Sequence, residues 1–244
     1  MITLSEKIKG DKAVLLCLAG NLCSPEVFDR VQAPDAVQKV YVDYLGGAGP
    51  WDMEHMGREL SELILSWERV PVILAGYSAG GVLAISVACK IPGRIAGLAL
   101  SNTGPCSLGH GSPGFAAELK ARFEDEAYIR EFLNSCFYTP LPREMEDKLW
   151  AYTRGISKEA AYQVSKSLRE VDYRDLLKAY KNPAVIIHGR LDTRRGMDSV
   201  DMMKESLPQS KTVLLETGHT PMYEDPAGYG SALMGMVEAV ALIG

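Results

Sequence analysis

The chain has 244 residues, of which 47% are hydrophobic and 23% charged, and carries a formal net charge of −5. That size and composition allow a buried core without disulfides or a structural metal. The mild acidity excludes a basic surface that tracks nucleic-acid phosphates. The five cysteines are odd in number and show no CxxC pairing, and the polar start is followed by an apolar run at 13–19 too short to span a membrane. These features predict a cytoplasmic protein with no disulfide framework and no membrane segment. Cys17 and Cys89 fall in apolar runs and are expected to be buried thiols.

In chain order, the first predicted element is a strand at 13–18 (AVLLCL), followed by the loop Ala19-Gly20-Asn21-Leu22-Cys23-Ser24. A second strand is predicted at 39–42. A helix is predicted over 52–67, with Asp52 as its N-cap. The strand at 70–75 (VPVILA) runs into Gly76-Tyr77-Ser78-Ala79-Gly80, and an Ala-rich helix follows at 79–90, stopped by Ile91-Pro92-Gly93. Further strands are predicted at 95–100, 184–188 and 211–216. A last helix is expected from Asp225-Pro226 to about 243. Continuous apolar runs separated by helical patterns predict an α/β class: a mostly parallel sheet with helices on both faces.

One stretch breaks the alternation. Between 105 and 181 no buried strand is predicted. A Gly/Ser/Pro-rich loop at 105–114 leads into amphipathic helices at 115–123, 128–137, 143–155 and 158–168, which carry Phe115, Phe123, Phe132, Phe137, Tyr138 and Trp150. The expected organisation is a core domain of 1–104 and 182–244, with 105–181 inserted as a helical cap, or lid.

The chemistry concentrates at strand ends. Ser78 sits on a strand–turn–helix joint with Gly76 and Gly80 two positions away on each side, the context of a nucleophile elbow. A serine needs a base. Of the four histidines, His219 follows a strand in Glu216-Thr217-Gly218-His219, on the edge where open α/β sheets hold their sites. His55 and His188 read as packing residues, and His110 opens the inserted region and is expected to line the site. The carboxylate that orients the base is Asp192, four residues past a strand end, with Asp198 as its competitor; the preceding strand ends in Ser101-Asn102-Thr103, with no acid. The oxyanion donors expected are the N–H of Ala79 and that of Asn21 or Leu22. Leu22 and Tyr77 are also expected against the substrate. No zinc-type ligand spacing and no GxGxxG after the first strand is present, so no metal or cofactor is expected.

The segments Leu18-Ala19-Gly20-Asn21-Leu22-Cys23, Gly76-Tyr77-Ser78-Ala79-Gly80-Gly81, Gly189-Arg190-Leu191-Asp192 and Gly218-His219-Thr220-Pro221, in the order Ser, Asp, His, resemble the α/β-hydrolase superfamily over nearly the whole chain. Within it the sequence looks closest to small carboxylesterases and lactonases with a helical cap; the pimeloyl-carrier methyl-ester esterases of biotin synthesis are one similar group. The resemblance implies an α/β-hydrolase fold and hydrolysis of a small-molecule ester, lactone or thioester through an acyl-enzyme, by a monomer or homodimer. A ligand-binding receptor and a lyase or cofactor-free peroxidase on the same fold are the alternatives. Three departures stand out. Ala19-Gly20 replaces the usual His-Gly. The opening hairpin is reduced to a strand within 2–8 or is partly absent. Arg194 and Arg195 stand where a proline is usual, either as salt-bridged surface residues or facing an acidic substrate.

Overall fold

The computed structural model describes residues 1–10, 12–67, 69–108 and 112–241. Seven strands form one sheet: β1 (Thr3–Leu4), β2 (Ala13–Leu18), β3 (Val37–Asp43), β4 (Val72–Tyr77), β5 (Ile95–Ser101), β6 (Ala184–Gly189) and β7 (Lys211–Leu215). Their spatial order is β1-β3-β2-β4-β5-β6-β7. Every pairing is parallel except that of β1 with β3. The opening strand is thus only two residues long. Two predicted strands start two residues away from their expected positions, and three others differ by one residue at an end. β3 starts two residues before 39, and β4 spans 72–77 rather than 70–75, so it carries Gly76 and Tyr77 up to the turn. Tyr77 still pairs in the ladder, opposite Ser101 of β5.

Helices cover both faces. α1 (Met53–Leu65) is capped by Asp52, whose Oδ1 accepts the His55 N–H at 2.8 Å. It buries Met53, Met56, Leu60 and Ile64, a stripe at three- and four-residue spacing. α2 (Ala79–Lys90) is buried continuously from Ala79 to Ala88, as expected for a helix apolar on every side. α1 packs on α2, and Gly57 leaves the room that Ser86 occupies. α7 (Arg174–Leu177) and α8 (Asp198–Ser206) extend this layer. α10 (Pro226–Ala241) packs on β5, β6 and β7, with Gly97 of β5 facing Met236 and Val240. Beside it, a 3-10 turn at Pro25–Phe28 brings Phe28 edge-on to Tyr229, with ring centroids 6.2 Å apart.

Among the described residues, four helices precede α7 between β5 and β6: α3 (Phe115–Ala121), α4 (Glu126–Asn134), α5 (Arg143–Gly155) and α6 (Lys158–Ser167). They pack in pairs, α3 on α6 and α4 on α5. Each keeps one apolar edge inward, such as Ile129 and Leu133 of α4. Cys17 is buried as expected, but Cys89 is only half-buried because it lies at the open end of α2; all five thiols are free. Among the described residues, no helix is long and apolar enough to cross a membrane.

Candidate active site

Ser78 lies between the last residue of β4 and the first of α2. It holds φ 53° and ψ −119°, a conformation that costs a non-glycine residue about 1–3 kcal/mol. Local bonds hold the strain in place. The Ser78 N–H donates to Ser101 O at 3.0 Å, and its carbonyl accepts from Gly81 N–H at 3.0 Å and from the Thr103 hydroxyl at 2.7 Å. The turn closes only because its neighbours lack side chains. A Cβ on Gly76 would come within 2.6 Å of Gly81 Cα, and one on Gly80 would collide with the Leu18 and Ala19 carbonyl oxygens.

His219 stands on the loop after β7. Its Nε2 is 3.0 Å from Ser78 Oγ and its Nδ1 is 2.7 Å from Asp192 Oδ2. Its ring is packed at 5.2 Å from that of Tyr77, and the residue is 3% exposed. Asp192 follows β6 and uses both oxygens. Oδ1 accepts from the Arg194 and Arg195 N–H groups at 2.7 and 3.1 Å, and Oδ2 accepts from Asn102 Nδ2 at 2.7 Å besides facing His219. Burial alone would raise the carboxyl. The charge and hydrogen bond of His219, with the bonds from Asn102 and Arg194, outweigh it and hold Asp192 at about 2. An ionised acceptor at Nδ1 selects the Nδ1–H tautomer and leaves Nε2 as acceptor for the Ser78 hydroxyl.

Asn102, which the sequence marked only as a non-acid at a strand end, is the residue that joins these loops. It is fully buried and sits at φ 44°, a backbone region that asparagine tolerates. Its Nδ2 also donates to Gly218 O at 3.3 Å, and its Oδ1 accepts from Gly189 N–H at 3.3 Å. One side chain therefore ties the ends of β5, β6 and β7. Glu224, on α9 (Pro221–Glu224), adds a second tie. It accepts from Gly218 N–H at 3.2 Å and from Tyr138 N–H at 3.0 Å.

The loop after β2 lacks the usual histidine, and other groups brace it. Tyr44 Oη donates to Ala19 O at 2.7 Å, and Asn21 Nδ2 donates to Ala161 O and Ser165 Oγ on α6 at 3.1 and 2.8 Å. Thr153 of α5 donates to Leu22 O at 3.0 Å. Asn21, Tyr77 and Ala79 line a cavity of about 480 Å³ over Ser78. Ala79 is the first residue of α2, where an N–H has no partner within the helix. Leu22, at φ 63°, is instead packed in the core at 0% exposure and does not line the cavity. His110 lies outside the described residues.

Of the other polar candidates, Asp198 opens α8 and leaves the site to Asp192. His55 lies on α1, half-buried, and His188 is buried in β6, where burial lowers its pKa and keeps it neutral. Arg195 is not the salt-bridged surface residue expected as one alternative. It is 5% exposed and donates to Ser199 Oγ at 3.1 Å, in the space that Gly104 leaves by having no side chain. Burial brings its guanidinium down to about 10, so it stays cationic at neutral pH.

The model of the alpha/beta hydrolase family matches residues 15–232. The chain is 25% identical over 175 residues to a pimeloyl-(acyl-carrier protein) methyl ester esterase of Hamiltonella defensa, covering 67% of this chain and 68% of that one. It is 29% identical over 165 residues to the protein of the same name from Aeromonas hydrophila, covering 63% and 65%. The matched stretch thus spans about two thirds of each relative. The structure superposes on an esterase from Exiguobacterium antarcticum with a TM-score of 0.82 at 21% identity, over 97% of this chain and 95% of that one, which is a likeness of fold.

Proposed function

Because the chain belongs to the alpha/beta hydrolase family, we propose that it is a serine hydrolase cleaving a carboxylic ester, lactone or thioester of a small molecule. The observation that carries this reading is the continuous hydrogen-bonded line from Asp192 through His219 Nδ1 and Nε2 to the hydroxyl of Ser78. Two relatives named as methyl ester esterases support a carboxylic ester as the bond cleaved.

In the proposed mechanism Ser78 Oγ attacks the carbonyl carbon while His219 Nε2 takes its proton. Asp192 holds the imidazole in the right tautomer and stabilises the imidazolium. The negative charge that develops on the carbonyl oxygen is held by the N–H groups of Asn21 and Ala79. One such donor typically lowers the barrier by about 2.7–4 kcal/mol. The acyl C–O bond breaks, and the leaving alkoxide, or thiolate for a thioester, receives the proton from His219. Water then repeats the sequence, with His219 as base, and releases the acid and free Ser78. Residues 105–181 act in this scheme as the helical cap, since α3, α4 and α6 contribute Phe115, Phe132 and Ser165 to the cavity wall. The cap excludes bulk water and sets which acyl and alcohol groups fit.

The test is hydrolysis of p-nitrophenyl esters of increasing acyl length by the unsubstituted chain and by Ser78→Ala. The expected result is turnover that falls by about 10³-fold or more in Ser78→Ala without loss of fold. Full activity in Ser78→Ala, or tight retention of an ester without turnover by the unsubstituted chain, contradicts it.

A further inference from the structure

The loop after β2 is laid directly on the nucleophile. A Cβ on Gly20 would lie 3.3 Å from Ser78 Cβ and 3.0 Å from the Tyr77 ring, and the Ala19 carbonyl oxygen sits where Gly80 leaves room by having no side chain. The hydrolase reading needs the N–H of the next residue, Asn21, to keep one direction on this path, since a donor acts only while it points at the oxyanion. The loop does not hold the path by itself. Its turn is closed by one bond, from Cys23 N–H to Gly20 O at 3.1 Å, and passes through Leu22 at φ 63°. Leucine disfavours that region because its Cβ crowds the following carbonyl oxygen, so the turn persists only where its surroundings impose it.

The inserted helices supply much of that constraint. Asn21 Nδ2 donates to two groups of α6, Ala161 O at 3.1 Å and Ser165 Oγ at 2.8 Å. Ala161 O can only accept, so it fixes which end of the amide faces the helix. Asn21 Oδ1 is buried and, among the described residues, has no partner, so the amide is held by α6 alone. Ala161 and Ser165 are both buried, at 0% and 5% exposure, where a lost bond is not replaced by one to water. One residue on, Leu22 O accepts from Thr153 Oγ1 of α5 at 3.0 Å, in a bond shared with Leu149 O at 2.9 Å. The core's own polar tie, from Tyr44 Oη at 2.7 Å, stops at Ala19 O. Ala19 is thus anchored to the core, whereas the polar ties of Asn21 and Leu22 run to α6 and α5.

We propose that the Asn21 side chain and Ser165 are positioning residues for the oxyanion hole: α6 sets the direction of the Asn21 N–H, so the inserted helices belong to the machinery that stabilises the transition state and are not only a cover over it. This deepens the hydrolase reading above and rests on it for the role of the Asn21 N–H. When α6 moves away from the core, the Asn21 amide loses its two acceptors, the strained turn relaxes and the oxyanion loses a donor. An ester is then still bound but is cleaved more slowly. The bond changes remain those of ester hydrolysis.

The test is a double-variant cycle of Asn21→Ala and Ser165→Ala, read on p-nitrophenyl butyrate. Alanine suits a helix position, so Ser165→Ala is expected to fold. By itself it is expected to lower kcat about fivefold with KM little changed. On the Asn21→Ala background, where the tie is already gone, the same substitution is expected to cost less than about twofold. Ser165 also lines the cavity, and the cycle separates a tie to Asn21 from a contact with substrate. The inhibition constant of butyl trifluoromethyl ketone, whose adduct with Ser78 carries the oxyanion, is expected to rise by the factor that kcat falls. Hydrogen exchange of peptides covering 19–24, read by mass spectrometry, is expected to be faster in Ser165→Ala than in the unsubstituted chain. An equal cost of Ser165→Ala on both backgrounds, a change confined to KM, or unaltered exchange at 19–24 overturns the proposal. Ser165→Ala alone, with its inhibition constant and its exchange, carries the test if Asn21→Ala does not fold. Absence of ester turnover by the unsubstituted chain contradicts the hydrolase reading, whereas the exchange, which needs no turnover, decides whether α6 holds the loop.

Discussion

At the scale of single residues, Ser78 and Asn102 carry the site in different ways. Ser78 was legible because its two flanking glycines have a local reason: the turn brings Cα atoms and carbonyls too close for any side chain. Asn102 was not legible. Asparagine at a strand end has many uses, and its role exists only because β5 pairs with β6 and puts the end of one beside the loop of the other. The same holds for Arg195, whose burial depends on the space above Gly104. Asn102→Ala removes one of the bonds that holds the Asp192 carboxylate, and a hydrogen bond to a charged group is worth about 1.5–3 kcal/mol. We expect kcat to fall about tenfold or more with KM little changed. Asn102→Gly removes the same bond but relieves the backbone at φ 44°, so it should lose as much kcat and less stability. Steady-state kinetics with denaturant titration checks both. A kcat that stays at the wild-type value in either variant would rule out a positioning role.

At the scale of elements, the strand–turn–helix joint and the His219 loop decide whether the parts meet. The strands and helices of the core were readable because each is a run of one period bounded by Gly, Pro or a cap. The sequence cut β4 two residues short because Gly76 and Tyr77 look like turn residues, while in the sheet Tyr77 remains paired with Ser101. Helices between β5 and β6 were also readable as helices. Which of their side chains face Ser78 was not, since an amphipathic stripe fixes an inward face and not its partner. Gly80→Ala sets a methyl against the Leu18 and Ala19 carbonyls, which are backbone and cannot rotate away. A loss of about 3 kcal/mol in denaturant titration is expected; a loss under about 1 kcal/mol would mean that the joint has slack. Glu224 links the loop before His219 to the backbone of Tyr138. Glu224→Ala should lower kcat/KM about tenfold and speed limited proteolysis between 105 and 181, while Glu224→Gln, which keeps an acceptor, should lose less. Unchanged proteolysis in Glu224→Ala would remove the clamp from the account.

At the scale of the whole molecule, the sheet order sets the ends of β4, β5, β6 and β7 side by side, and the site is spread over the loops that follow them. That adjacency was implied by the α/β pattern, whereas the set of side chains that lines the cavity over Ser78 was not, because they come from loops and helices far apart in the chain. The global fold also registers the ionisation of Asp192. Its carboxyl is held down at about 2, below its ordinary value of 3.8, so its interactions contribute fully above the unfolded value and are lost as pH falls through the folded one. Between about pH 4 and pH 2 the unsubstituted chain should lose stability more steeply than Asp192→Asn, as read by thermal melting across that range. Parallel curves would show that Asp192 is not held ionised. The central claim is that Ser78 is the nucleophile, and the intact mass of the chain after treatment with a fluorophosphonate reads it most directly. The account predicts one adduct per chain, located by peptide mapping on Ser78 and absent in Ser78→Ala. An unlabelled chain, or an adduct that persists in Ser78→Ala, would contradict it.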